Sequence, residues 1–159
     1  MGIVVTKFGG SSLADAGQFR KVRDILLADE NRKYVVPSAP GRRDADDAKV
    51  TDLLYACHTL GAEGRAHEFE ETFSAIRERY LGIVEELGLS PECIATQLEQ
   101  ARFAILSGMG PDYAASRGEF LNGLLLSAYL GWEFIDAAEV IFFDAAGRFD
   151  AERTQEGLS

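Results

Sequence analysis

Cysteine is scarce in this chain of 159 residues: only Cys57 and Cys93 occur. Two widely spaced thiols exclude a disulfide framework or a zinc site and suit a reducing cytoplasm. Long hydrophobic runs are lacking too, so no segment is expected to span a bilayer. The first residues, Met1-Gly2-Ile3-Val4-Val5, have no basic flank, extended apolar stretch or cleavage site. They predict a buried first strand rather than a signal peptide or a myristoylation site. Positive charge is also in short supply. Sixteen Lys and Arg face twenty-six Asp and Glu, for a net charge of -10. Such a surface repels phosphate backbones and anionic lipid, which argues against nucleic-acid and membrane partners. It leaves room for a nucleotide, because one well-placed lysine acts locally.

What is present is an ordinary globular composition, 47% hydrophobic and 26% charged, of a length suited to one domain. Ile3-Val4-Val5 reads as a strand closed by a glycine turn. Ser11 and Ser12 offer caps for a helix to about Ala28, with Phe19, Val22, Ile25 and Leu26 on one face. Tyr34-Val35-Val36 is the next strand. Together these pieces predict a β-turn-α-β unit and a parallel sheet. The centre is helical. One helix is expected from Val50 to Leu60 and a long amphipathic one from Gly64 to Leu87. A third ends near Leu106 and a fourth runs from about Tyr113 to Leu130. Gly88 stops the second of these, and Ser90-Pro91 restarts the chain. Trp132 to Ile135 and Val140 to Phe143 read as strands, and the polar tail from Ala151 ends without a finished element. A sheet of about four strands around a helical insertion spanning about 50–130 is thin for a doubly wound fold. The chain therefore reads as the first half of a larger structure.

Four short segments carry candidate chemistry. Lys7-Phe8-Gly9-Gly10-Ser11-Ser12 joins the first strand to a helix. Its glycines permit close backbone approach, free N–H groups at a helix start attract anions, and Lys7 adds a full charge. This is equipment for phosphate, but the spacing is neither a Walker loop nor G-x-G-x-x-G, and a plain glycine turn with a solvated lysine also fits. Val36-Pro37-Ser38-Ala39-Pro40-Gly41 ends the second strand, where open α/β sheets bind ligands. Ser38 there is a ligand donor or a turn cap. In Lys49-Val50-Thr51-Asp52, Thr51 is a helix cap or faces the ligand. Ser116-Arg117-Gly118-Glu119 has the form of a capping box. Gly118 in a first helical turn would suggest close packing against the backbone. A half-buried Glu119 would need a cation, and a substrate ammonium would serve. His58 and His67 read as structural. Asp44, Asp46 and Asp47 lack calcium-loop spacing and read as a solvated loop.

Together, in this order, the four segments resemble the aspartate kinases of the amino acid kinase superfamily, and Phe134-Ile135-Asp136-Ala137 extends the resemblance. It implies a three-layer α/β/α, carbamate-kinase-like fold, represented here by its amino-terminal substrate lobe. It also implies transfer of the γ-phosphoryl of ATP, with Mg2+, to the β-carboxylate of L-aspartate, in the synthesis of lysine, threonine and methionine. By the same resemblance Lys7 is catalytic, and Lys7, Gly9, Gly10 and Ser11 bind ATP. Ser38, Thr51 and Glu119 bind aspartate, and no residue of the chain is a metal ligand.

Two departures accompany the resemblance. Pro37 stands where such kinases continue a β-branched strand, and it removes a ladder N–H. Nothing in the chain matches the nucleotide-binding half or the regulatory ACT domains. The chain is accordingly expected to be inactive alone, and to dimerise or aggregate through exposed apolar surface. The alternative is a non-catalytic module that binds aspartate or another subunit. A sibling kinase acting on acetylglutamate fits less well, since an acetylated nitrogen offers Glu119 no charge.

Overall fold

A computed structural model describes residues 2–158. The first strand, β1, is Val4–Phe8, longer at its carboxyl end than the apolar run suggests. It pairs in parallel with β2, Arg32–Pro37, with Lys7 opposite Val36 and Phe8 opposite Pro37. Pro37 ends the strand. The ladder continues for one bond past it, from the Ser38 N–H to the Phe8 carbonyl at 3.0 Å.

Between the strands the backbone makes a 3-10 turn, Gly10–Leu13, before helix α1, Ala16–Leu27. Ser11 and Ser12, expected as caps, lie inside that turn. The cap is Asp15, whose carboxylate accepts from the Gln18 N–H at 2.9 Å. Phe19, Val22 and Leu26 are buried as the periodicity requires, whereas Ile25 is 47% exposed.

The helices that follow are α2 (Val50–Ala62), α3 (Ala66–Glu86), α4 (Ala95–Leu106) and α5 (Pro111–Leu130). A 3-10 turn at Pro91–Cys93, capped by Ser90, separates α3 from α4. Gly88 adopts φ +70° just beyond α3, the left-handed geometry that ends a helix there. The core is mostly interhelical. Phe69, Phe73, Ile76 and Tyr80 of α3 are fully buried with Leu54 of α2, Leu98 of α4 and Leu121 of α5. Each such side chain contributes roughly 1.5–3 kcal/mol of burial.

The carboxyl-terminal part departs from expectation. Among the described residues the sheet has two strands, not four. Trp132 to Ile135 form no ladder. Their aromatic side chains are drawn onto α5 instead: Phe134 stacks edge-on against Phe120 at 5.5 Å and abuts Gly123. The segment shares an open groove of about 620 Å3 with β2. The second expected strand is replaced by a short helix, α6 (Ala137–Val140), and an isolated antiparallel bridge between Phe143 and Phe149. The tail is helical as α7, Ala151–Gly157, capped by Asp150.

One face of the sheet is covered and the other is open. Thr6, Phe8 and Val35 point inward and are half-buried. Val5, Tyr34 and Val36 alternate to the opposite face and remain 63%, 52% and 49% exposed. The first strand is therefore not the buried one that its apolar sequence predicts.

Candidate functional site

A cleft of about 440 Å3 lies at the carboxyl ends of β1 and β2. Three pieces of backbone build it. Gly10 and Ser11 come from the turn after β1, Ser38 to Arg42 from the loop after β2, and Lys49 and Thr51 from the start of α2. Glu119 of α5 closes the fourth side. The two loops touch. The Gly41 N–H donates to the Gly10 carbonyl at 2.9 Å, and a Cβ on Gly41 would come within 2.6 Å of the Gly10 carbonyl carbon. Only glycine fits there without moving the backbone.

Helix α5 reaches the strand ends through three successive contacts. A Cβ on Gly118 would lie 2.7 Å from that of Ala39, so the helix backbone packs directly on the loop. Glu119 Oε1 accepts a long 3.5 Å hydrogen bond from the Ala39 N–H. Asn122, fully buried, donates from Nδ2 to the Ser38 carbonyl at 2.6 Å. From the opposite side, the buried Tyr80 hydroxyl donates to the Gly118 carbonyl at 2.7 Å. Burial pushes the Tyr80 phenol well above its usual range, and the Glu119 charge adds to the shift, so Tyr80 stays protonated.

Several expectations are corrected by this arrangement. Ser116 caps nothing, because α5 begins at Pro111 with Gly110 as its N-cap. Its hydroxyl donates to the Tyr113 carbonyl at 2.8 Å, within the helix. Gly118 is consequently mid-helix, yet it is closely packed as its presence suggested. Glu119 is exposed rather than half-buried. Thr51 is not the cap of α2, which begins after Lys49 without a side-chain cap.

Gly10, Ser11, Ser38, Thr51 and Glu119 thus share one cleft. Lys7 and Gly9 do not line it. Both are exposed, and alternation along β1 puts Lys7 on the open face of the sheet with Val5. Lys7 remains two pairing positions from Ser38, since its partner in the ladder is Val36.

No local pattern in the sequence gives Arg42 or Lys49 a role. Both line the cleft, and no carboxylate among the described residues pairs with either. The cleft therefore presents two unpaired cations and one carboxylate. Asp47, expected in a solvated loop, has a side chain only 11% exposed that holds both Arg43 and Arg79. Among the described residues no group of three or more His, Cys, Asp or Glu side chains could hold a metal ion.

The model of the amino acid kinase family matches residues 2–156. The chain belongs to the amino acid kinase family. Among its relatives, aspartokinase 3 of Bacillus subtilis (strain 168) is 41% identical over 143 residues. That match covers 86% of this chain and 31% of that protein. The crystal structure of Clostridium acetobutylicum aspartate kinase superposes with a TM-score of 0.93 at 51% identity, over 99% of this chain and 36% of that one. Escherichia coli aspartokinase III in complex with aspartate and ADP superposes with a TM-score of 0.78 at 29% identity, over 97% of this chain and 36% of that one. The fold is thus part of the α/β fold of these kinases, and the chain spans about a third of the length of the relatives it matches.

Proposed function

We propose that the chain supplies the aspartate-binding part of an aspartate kinase, which transfers the γ-phosphoryl of ATP to the β-carboxylate of L-aspartate. The observation that carries this reading is the charge pattern of the cleft. Glu119 offers a carboxylate to an ammonium, while Arg42 and Lys49 offer cations to two carboxylates. That pattern matches a dicarboxylic amino acid, and Ser38 and Thr51 add hydroxyls for orientation. The related Escherichia coli enzyme is described in complex with aspartate and ADP, which supports the same ligand classes.

Phosphoryl transfer is catalysed by positioning and by neutralising charge. In this reading the N–H groups around Gly9, Gly10 and Ser11 receive phosphate oxygens. Lys7 neutralises the phosphoryl group from the open side of β1. In this reading Mg2+ would accompany the nucleotide, held largely by its phosphate oxygens. The activity belongs to cytoplasmic synthesis of lysine, threonine and methionine, and the chain alone is inactive. Aspartyl hydroxamate formed from ATP, L-aspartate and hydroxylamine by these 159 residues would overturn the inactivity of the chain.

Calorimetry with L-aspartate tests the site. Glu119→Ala is expected to weaken binding roughly 10- to 100-fold, the loss of a charge-assisted hydrogen bond. Unchanged affinity would remove Glu119 from the site.

A further inference from the structure

Arg79 stands in the apolar stripe of α3, between Ile76 and Ile83, with a side chain only 5% exposed. A guanidinium so placed is costly unless its donors and its charge are met. They are met by the two ends of one loop. Nη1 donates to the Gly41 carbonyl at 2.9 Å. Nη2 donates to the Asp47 carboxylate and, at 3.4 Å, to the Ala48 carbonyl. Asp47 in turn accepts from the Arg43 backbone N–H and Nε, both at 2.9 Å, and from Nη2 at 3.1 Å. Two adjacent arginines are thereby sorted. Arg43 is folded back onto Asp47, and Arg42 is left to line the cleft.

We propose that Arg79 is a positioning residue of the site, a clamp that seats the loop 41–48 against Gly10 so that Arg42, Lys49 and Thr51 face Glu119. The identity of the ligand rests on the aspartate reading, whereas the clamp itself does not. A buried ion pair is seldom a better source of stability than apolar packing of the same volume. What a fork with several donors supplies, and an apolar side chain does not, is the register of the loop. Gly41 is the point of leverage. Its carbonyl is held by Arg79 while its N–H is held by Gly10.

The test uses the 159-residue chain with Arg79→Met and Arg79→Lys. Arg77→Met is the control, since Arg77 lies on the same helix but pairs with Glu99 away from the loop. Hydrogen exchange is read at the Gly41 and Arg43 amides, aspartate affinity by calorimetry, and the unfolding midpoint in urea. In Arg79→Met both loop amides are expected to exchange at least tenfold faster, with α3 core amides unchanged and the aspartate Kd raised at least tenfold. Arg79→Lys should be intermediate, because one ammonium can meet Asp47 but cannot also bridge to Gly41. The control should alter neither the loop exchange nor the aspartate affinity. Should Arg79→Met fail to fold, Arg79→Lys carries the same comparison. Loop amides that exchange as in the parent would overturn the clamp. Faster exchange with unchanged affinity would reduce Arg79 to a purely structural role and equally overturn the proposal. A parent chain that takes up no aspartate would sink the substrate reading, and the exchange ratio would still decide for or against the clamp.

Discussion

Gly118 of α5 and Ala39 of the loop after β2 meet with no room for another methyl: a Cβ at 118 would stand 2.7 Å from the Ala39 Cβ. This contact brings the helix down onto the strand ends and leaves Glu119, the next residue, on the rim of the cleft.

Gly118→Ala should therefore destabilise the chain, although alanine is the better helix former by about 1 kcal/mol. Overpacking costs about 1–3 kcal/mol, and Ala39 cannot retreat because its neighbours Ser38 and Pro40 are tied by Asn122 and Val50. Urea unfolding is expected to show a net loss of up to about 2 kcal/mol. Adding Ala39→Gly should restore most of it. An unaltered or raised midpoint for Gly118→Ala alone would mean that α5 can move away from the loop.

Asp47 predicts a pH dependence. The Arg43 side-chain hydrogen bonds hold its carboxyl well below the usual carboxylate range, against an opposing desolvation, with the Arg79 charge helping. The unfolded chain then binds the proton more readily than the folded one. The stabilisation is complete above the ordinary Asp range near about 3.9 and is lost as pH falls below it. At pH 7, Asp47→Asn leaves Arg79 without its anion and should cost about 3 kcal/mol. Urea unfolding at a series of pH values should show this gap narrowing below about pH 4. A gap that stays constant into acid would show that ionised Asp47 contributes nothing.

The open sheet face should cause self-association. Val5, Tyr34 and Val36 are 63%, 52% and 49% exposed on one face of a sheet that has two strands among the described residues. Light scattering is expected to show a mass that rises with concentration, and Val5→Lys with Val36→Lys should return it toward one chain. A parent chain that stays monomeric at every concentration would refute this.

Thiol reactivity offers an inexpensive check on the packing of α2. Burial pushes the Cys57 thiol up to about 12 and raises that of half-buried Cys93 as well. A disulfide reagent at pH 8 should modify Cys93 slowly and Cys57 only after denaturation. Rapid reaction of Cys57 in the folded chain would show that α2 opens readily.

Much of the fold is visible in local pattern. The steps of three and four from Phe69 to Leu87 give α3 to within two residues at each end, and Gly88 marks its stop. The glycine turn after β1 and the parallel unit follow from short β-branched runs around one amphipathic helix. Arg79 was visible too, as a cation three residues after Ile76 in an otherwise apolar stripe, but its partners lie 31 to 38 residues away. The errors share a cause. Ser11, Ser12 and Ser116 look like caps, yet helix starts are set by which backbone donors the packing leaves unmet. Trp132 to Ile135 look like a strand, yet a strand requires a ladder partner, and here the aromatic contacts to α5 prevail.

By itself the sequence determined the five long helices α1 to α5, where the glycine bends fall, and which residue types are available for anionic and zwitterionic ligands. These depend on neighbours within a turn or two. Only the tertiary structure decided that Gly10, Ser38, Thr51 and Glu119 share a cleft, that Lys7 lies outside it, and that Asp47 binds Arg79 instead of water. Those outcomes depend on distances between residues far apart in the chain, which packing of α3 and α5 against the strand ends sets and no local pattern encodes.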